Sequence, residues 1–315
     1  MSVRFGGSVD RVVIVLGVHD AGPALSDQLN SYLDQTWRDW DLLIGDDGAS
    51  GRDLDVLATF RQSAIRSGHQ VEIRPGPRRG FACNYLMMLR DLAPDTGYAA
   101  LSDQDDIWLA RKLERAVATL RDVAGPAIYC GARLIWDPER NTRMPSRPLR
   151  RGLSFRNALV ENVACGNTIV LNRAAISLIR AGHSAAATVP FHDWWIYLLV
   201  TGAGGQVIHD HDPQILYRQH AGNALGAGEA GWNRTRARRD VAGGLYRDRL
   251  DRNLAALSAL RHLLTPDHQE LLDRVVAARQ APWARRLRLM AGLGLYRQDM
   301  LSQFGLWGAV ALARF

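Results

Sequence analysis

The 315-residue chain is 47% hydrophobic and 23% charged, which suits one large α/β domain with an appendage, or two modest domains, and excludes wholesale disorder. Residues 1–228 balance 24 basic against 24 acidic side chains, while residues 229–315 carry 15 arginines against 8 acids and hold the whole net charge of +7. A neutral body with a basic tail suits an anionic surface; without a zinc-finger, RNP-type or helix-turn-helix signature, that surface is expected to be membrane lipid and not nucleic acid.

Val12–Leu16 (VVIVL) is apolar on both faces and reads as a buried strand. Residues 23–36 follow as a helix, Leu42–Gly45 as a strand running into Asp46-Asp47-Gly48, and the stretch to about Arg66 as a helix. Val71–Arg74 is a third strand, ended by the turn segment PGPRRG; Phe81–Leu92 is helical, and Tyr98–Leu101 is a strand running into SDQDD. Ala110 to about Val123 is helical again and Ala127–Trp136 returns to strand. Four βα alternations of this length imply a doubly wound, mostly parallel sheet with functional loops at the carboxyl ends of its strands. Neither the G-x-G-x-x-G fingerprint nor a P-loop is present, which speaks against a nicotinamide enzyme.

Residues 137–156 read as an exposed basic loop, 163–172 as a strand, and Phe191 to about Val200 as a helix opened by His192-Asp193. After Gly228 the texture changes to Arg-rich helices. In the last of them Leu289, Leu293, Tyr296, Met300, Phe304 and Trp307 are spaced as one continuous apolar stripe. The chain therefore divides into a domain of residues 1–228 and a basic, amphipathic helical region of residues 229–315. No apolar run reaches the ~20 residues of a membrane span, and the apolar stretch before Gly17 is too short for a signal-peptide core. Cys83, Cys130 and Cys165 are odd in number and widely spaced, so a reducing cytoplasm is expected and a disulfide framework or structural zinc is not.

The strongest chemical signal is Ser102-Asp103-Gln104-Asp105-Asp106-Ile107-Trp108. Three carboxylates within four positions repel one another unless a cation or a cluster of donors compensates, and Asp103 and Asp105 can converge on one hard ion such as Mg2+ or Mn2+. The plainer alternative is an acidic turn with Asp106 capping the next helix. Asp46-Asp47-Gly48 can accept hydrogen bonds from a nucleobase or ribose, or be no more than a turn. In Phe191-His192-Asp193-Trp194-Trp195, Asp193 is placed to take a proton from a bound hydroxyl or to cap its helix, and the indoles of Trp194 and Trp195 suit the apolar faces of a sugar. In Tyr217-Arg218-Gln219-His220, His220 offers a neutral imidazole to a cation and Arg218 a guanidinium to a phosphate. His209-Asp210-His211-Asp212 looks like a second metal cluster, but the packing reading leads.

The segments VVIVLGVHD, QTWRDWDLLIGDDGAS, GFACNYLMML, LSDQDDIWLARKLERA, CGNTIVLNR, HDWW and YRQHAGNALG, in this order over roughly residues 11–228, resemble the family 2 inverting glycosyltransferases of GT-A fold, most closely their bacterial rhamnosyltransferase-like branch. The resemblance implies a Rossmann-like, mostly parallel sheet flanked by helices, with a C-terminal helical appendage. It implies that Asp47 binds the pyrimidine of the donor with Asp46 supporting its loop, that Asp103 faces the ribose, and that Asp105 faces a metal on the diphosphate. Asp193 would be the catalytic base and His220 would complete the metal site, with Asp103 beside it. His19, Arg79, Gly80, Asn84, Ser102, Gln104 and Arg218 would belong to the nucleotide-sugar site, and Trp194 and Trp195 to the acceptor site. The first strand departs from the family's common Thr-Tyr-Asn ending, having Gly17-Val18-His19-Asp20 instead.

Inverting transfer needs one base for the acceptor hydroxyl and an electrophile for the departing nucleoside diphosphate, and this residue set supplies both. The expectation is a cytoplasmic, membrane-peripheral enzyme using a dTDP- or UDP-sugar, with L-rhamnose suggested by the branch, a divalent metal (Mn2+ or Mg2+), and a glycan or lipid-linked acceptor. A metal-dependent nucleotidyl- or phosphohydrolase and a non-catalytic glycan-binding subunit are the alternatives. The apolar stripe meets either an anionic membrane surface or protein, including a second protomer in a homo-oligomer.

Overall fold

The computed structural model describes Val3, Phe5, Gly6 and residues 8–219 and 244–315. Four strands, β1 (Val12–Val18), β2 (Trp40–Asp46), β3 (Val71–Pro75) and β4 (Tyr98–Ser102), pair in parallel in the order β3-β2-β1-β4. Leu16 stands opposite Ile44 on one side and Ser102 on the other, so the strands end level and their following loops share one edge. β1 is covered on both faces, which is why its sequence is a continuous apolar run and not an alternation. The crossovers are α1 (Leu25–Leu33), α2 (Gly51–Arg66) and α3 (Phe81–Asp91).

Beyond β4 the sheet changes character. It continues through β8 (Val170–Asn172), β6 (Ala127–Asp137), β9 (Gln206–Arg218) and β5 (Ile107–Trp108). β8 runs antiparallel to both neighbours, while β6 and β9 are parallel to each other. The segment read as a strand over 163–172 keeps only its last three residues in β8, because Gly166–Thr168 closes a turn of 3-10 helix. The segment read as a loop over 137–156 contains β7 (Thr142–Pro145), which folds back on β6 around Asn141 in the left-handed region, φ 50°. The helices here are α4 (Lys112–Leu120), α5 (Phe155–Ala158), α6 (Arg173–Ala181) and α7 (His192–Gly202).

The chain ends in α8 (Leu245–Ala259), α9 (Pro266–Gln280), α10 (Trp283–Ala291) and α11 (Met300–Ala311). The expected single amphipathic helix is therefore two helices. Gly294 sits at φ 63° between them, and Asp299 restarts the helix by accepting a hydrogen bond from the Ser302 N–H at 2.9 Å. The stripe is divided accordingly: Leu293 is buried, the Tyr296 hydroxyl meets Ser154 at 2.7 Å, and Met300 and Phe304 face solvent. One apolar cluster joins Val15, Leu101 and Trp195 of the sheet half to Leu250, Leu272, Met290, Leu306 and Phe315 of these helices. The expected domain boundary at 228 lies outside the described residues. Among the described residues no helix is long and apolar enough to cross a membrane.

Candidate active site

Three loops at the level carboxyl edge of β1, β2 and β4 build the cleft. The Asp46 carboxylate closes its own turn, accepting from the Gly48 and Ala49 N–H groups at 3.0 and 2.7 Å. The buried Asp47 carboxylate accepts from the Arg78 N–H, in the turn after β3. That turn comes this near because residue 76 is glycine: a Cβ there would lie 2.7 Å from Asp47 Oδ1 and 2.9 Å from Asp47 Cα. The His19 main chain and the Gln104 side-chain amide exchange two hydrogen bonds, at 2.8 and 2.9 Å, and His19 Nδ1 lies 3.0 Å from the Asp47 carbonyl. His19 and Gln104 thus join all three loops. Arg79 is exposed, and Gly80 precedes α3 at φ 90°.

Asp53 is the residue that sequence reasoning missed. Its fully buried carboxylate accepts from the N–H groups of Ala21 and Gly22, both at 3.1 Å, and of Ser50 at 2.9 Å, so the N-terminus of α2 holds the loop after β1. The signal was present in Ser50-Gly51-Arg52-Asp53, the pattern of a capping box.

Two expected ligand contacts lie beneath this surface. Ser102 is buried, with its hydroxyl 2.6 Å from the Tyr32 hydroxyl and its carbonyl accepting from Tyr85 Oη. Asn84 is buried under β2, donating to the Gly45 carbonyl at 2.9 Å. Both side chains are buried and brace the floor, and neither presents a polar group to the cleft.

The acidic loop gathers charge. Burial pushes the Asp103 carboxyl well above the usual carboxylate range; Asp106, Asp105 and Asp193 push it further, and Arg133 opposes them. Burial and Asp105 push Asp106 up to about 7, against hydrogen bonds from Asn167 Nδ2 at 2.7 Å and the Arg218 N–H at 3.2 Å. Behind them Lys112, the only lysine of the chain, is fully buried with Nζ 3.5 Å from the Trp108 ring centroid. Burial pulls its ammonium down to about 7 although Asp106 and Asp103 favour the charged form. Asp105 lines a cavity of about 330 Å3 with Ala21, Pro23, Ala24, Asp27 and Arg218. The Arg218 guanidinium is a strut across its wall: it meets Asp27 at 2.6 Å, donates to the Asp105 carbonyl at 3.0 Å and lies over Trp136. His220 lies outside the described residues.

Asp193 stands in the first turn of α7, accepting from the Gly166 N–H at 3.2 Å and the Trp194 N–H at 2.7 Å. Helical geometry turns the next two residues about 100° and 200° away, into the core. Trp194 and Trp195 are accordingly buried, Trp194 Nε1 donating to the Ala158 carbonyl at 2.7 Å, and neither indole offers a face to a sugar. The half-exposed aromatic ring on this side is Phe81, 5.9 Å from Phe191. His209 and His211 pack together at 5.0 Å while Asp210 pairs with Arg115 at 2.6 Å, in keeping with the packing reading of that cluster.

His192 is buried and stacked on Tyr85 at 4.1 Å, and among the described residues neither ring nitrogen has a hydrogen-bond partner. Burial pulls its pKa from 6.5 to about 4, the neighbouring Asp193 notwithstanding. As pH falls below 6.5 the unfolded chain takes up a proton that the folded chain refuses until about 4. The stability contribution is therefore complete above 6.5 and declines by about 3 kcal/mol across that window. His192→Phe should flatten the pH dependence of denaturant midpoints between 6.5 and 4; identical slopes for variant and wild type would remove His192 as the cause.

Comparison with known proteins decides the family. Residues 13–179 match the family model described as "Glycosyl transferase family 2". The chain belongs to that family. It is 25% identical over 211 residues to the dTDP-rhamnosyl transferase RfbG of Shigella flexneri, covering 64% of this chain and 71% of that protein. In fold this family 2 glycosyltransferase is similar to residues 1–349 of Staphylococcus aureus TarS in complex with UDP-GlcNAc, at a TM-score of 0.56 and 10% identity over 96% and 88% of the two chains. It is also similar to the mannosyltransferase PcManGT from Pyrobaculum calidifontis in complex with GDP-Man and Mn2+, at a TM-score of 0.51 and 16% identity over 96% and 85%. The expected GT-A architecture is the one found, and the activity is transfer of a sugar from a nucleotide sugar.

Proposed function

We propose that this glycosyltransferase is an inverting enzyme that moves a sugar from a dTDP- or UDP-sugar, dTDP-L-rhamnose first among those to test, to a hydroxyl of a lipid-linked or cell-surface glycan, working as a peripheral protein on the inner face of the cytoplasmic membrane. One geometric observation carries the reading: the Gly166 N–H donates to Asp193 of α7 at 3.2 Å, while the next residue, Asn167, donates to Asp106 of the acidic loop at 2.7 Å. A proton acceptor thus stands beside the acidic loop, as a single displacement requires. Each Asp193 oxygen accepts one backbone N–H, and a carboxylate has about four lone-pair sites, so capacity remains for the acceptor hydroxyl. Asp47 would take the base, braced by Asp46, His19 and Gln104; Asp103 would face the ribose, with Arg79 and Gly80 against the nucleotide. The half-exposed Phe81 replaces Trp194 and Trp195 as the aromatic wall for the acceptor.

The donor set fits a hard divalent ion. Its groups are carboxylate oxygens, and their mutual repulsion marks a place short of positive charge. Asp105 would hold Mn2+ or Mg2+ with Asp103 beside it and His220 as a further donor; among the described residues no three His, Cys, Asp or Glu side chains form a ready-made metal position. When bound, the ion supplies positive charge to the departing diphosphate. Calorimetric titration with dTDP and UDP tests the assignment. Wild type should bind the nucleoside diphosphate in a metal-dependent manner, and Asp105→Ala should lose that dependence with an unchanged melting temperature. Binding and transfer that survive a chelator unchanged would overturn it.

A further inference from the structure

Helix α11 presents its apolar side chains outward. Its sequence, MLSQFGLWGAVA, has no charge. Leu306, Ala309 and Val310 are buried, yet within the described residues Met300, Leu301 and Phe304 are 70%, 51% and 65% exposed, and Leu312 just past the helix is 71% exposed. Positions 300, 304, 308 and 312 fall on one stripe with 301 and 305 alongside it. The polar side chains do not cover this face: Ser302 is capped by Asp299, and Gln303 accepts from the Arg297 N–H at 2.7 Å. Gly305 and Gly308, where an added Cβ would meet nothing within 4 Å, leave the stripe free of anything polar. On the adjacent helix α10, whose Arg286 reaches the Val310 carbonyl, Trp283 is 62% exposed and Arg285 and Arg288 are exposed.

From this geometry we infer that the outer face of α11, with the exposed side chains of α10, is a docking surface for an anionic lipid bilayer. An exposed apolar helix face, with an exposed tryptophan and exposed arginines on the neighbouring helix, suits the plane of a bilayer interface, the apolar side chains among the acyl chains and the guanidinium groups at the headgroups. The region that carries this face also carries the whole excess positive charge of the protein. A second copy suits it less well, because it would bring a second C-terminal region of the same net charge, +7, to the same seam. The inference rests on the membrane setting proposed above and gives it a surface, and lipid binding can be measured without any donor or acceptor.

The test is co-sedimentation of the full chain with vesicles of phosphatidylcholine alone or mixed with phosphatidylglycerol. Wild type should sediment with the anionic vesicles. The double variant Met300→Ser, Phe304→Ser should partition at least ~10-fold less at any salt, since a buried side chain of this size is worth tenfold or more. Arg285→Gln, Arg288→Gln should lose roughly 30-fold at low salt and little at high salt. Every substituted side chain is exposed, so melting temperatures and donor-induced thermal shifts should match wild type, which separates failure here from failure of the catalytic reading. Wild type left in the supernatant with both vesicle types would overturn the inference, as would Ser variants that sediment like wild type. Self-association in light scattering that the Ser variants abolish, without vesicle binding, would assign the face to a second copy instead.

Discussion

Asp193→Asn should lower the rate of transfer by at least ~10²-fold while leaving the dissociation constant of the donor near its wild-type value. The amide keeps the size of the side chain and loses its basicity. It also turns one acceptor into a donor, so either the Gly166 or the Trp194 N–H loses its partner. That local cost bears on the first turn of α7, not on the nucleotide loops, which are built from β1, β2 and β4. Turnover at saturating donor and acceptor, set beside donor titration, separates the two effects. A variant with near wild-type turnover would remove Asp193 from the mechanism; one that no longer binds donor would make it a structural residue.

The largest loss of stability from a single cleft side chain is expected at Asp53. Asp53→Ala leaves three backbone N–H groups and the Ser50 hydroxyl without their acceptor in a partly buried setting, at a cost of about 2 kcal/mol. Burial alone would raise the Asp53 carboxyl; the hydrogen bonds from Ser50, Ala21 and Gly22 outweigh it and hold the group below its ordinary value. The contribution is therefore complete above the unfolded value and is lost as pH falls through the lowered folded one, so the gap between variant and wild type should narrow towards acid. Denaturant unfolding at neutral and acid pH measures both quantities. Because Ala21 also lines the Asp105 cavity, donor affinity should fall along with stability. A variant as stable as wild type would show that the loop after β1 is held by something other than this carboxylate.

The sequence carried the first half of the fold because its strands are short apolar runs ended by turn residues, and the elements from Val12 to Trp136, the two-residue β5 apart, lie within a few positions of where periodicity puts them. The acidic loop was legible for a related reason: charge at the end of a buried strand has few structural excuses. Other features depended on directions that spacing alone does not convey. In HDWWIYLLVTG the apolar residues run all round the helix, the mark of an element buried on every side, and that mark outweighs the affinity of indole for sugars. The stripe from Leu289 to Trp307 has helical spacing throughout, yet Gly292 and Gly294 interrupt the backbone inside it. Arg218 could be read as a phosphate ligand because its partner Asp27 lies far away in sequence, on α1, and only the fold brings them together.

The aromatic path from α7 into the last helices has a consequence for protein engineering. Trp194, directly after Asp193, stacks on Tyr246 of α8 at 6.5 Å, and Tyr246 meets Phe315 at 6.5 Å. Exchanging the C-terminal helices with those of a relative, to redirect the enzyme towards another acceptor, would therefore also replace part of the wall against which the Asp193 helix is seated. A working chimera has to import the donor protein's counterpart of Trp194 with its tail, or carry Tyr246 and Phe315 across unchanged. The seam for such a graft is set by ring packing and not by the sequence position where the arginine-rich texture begins.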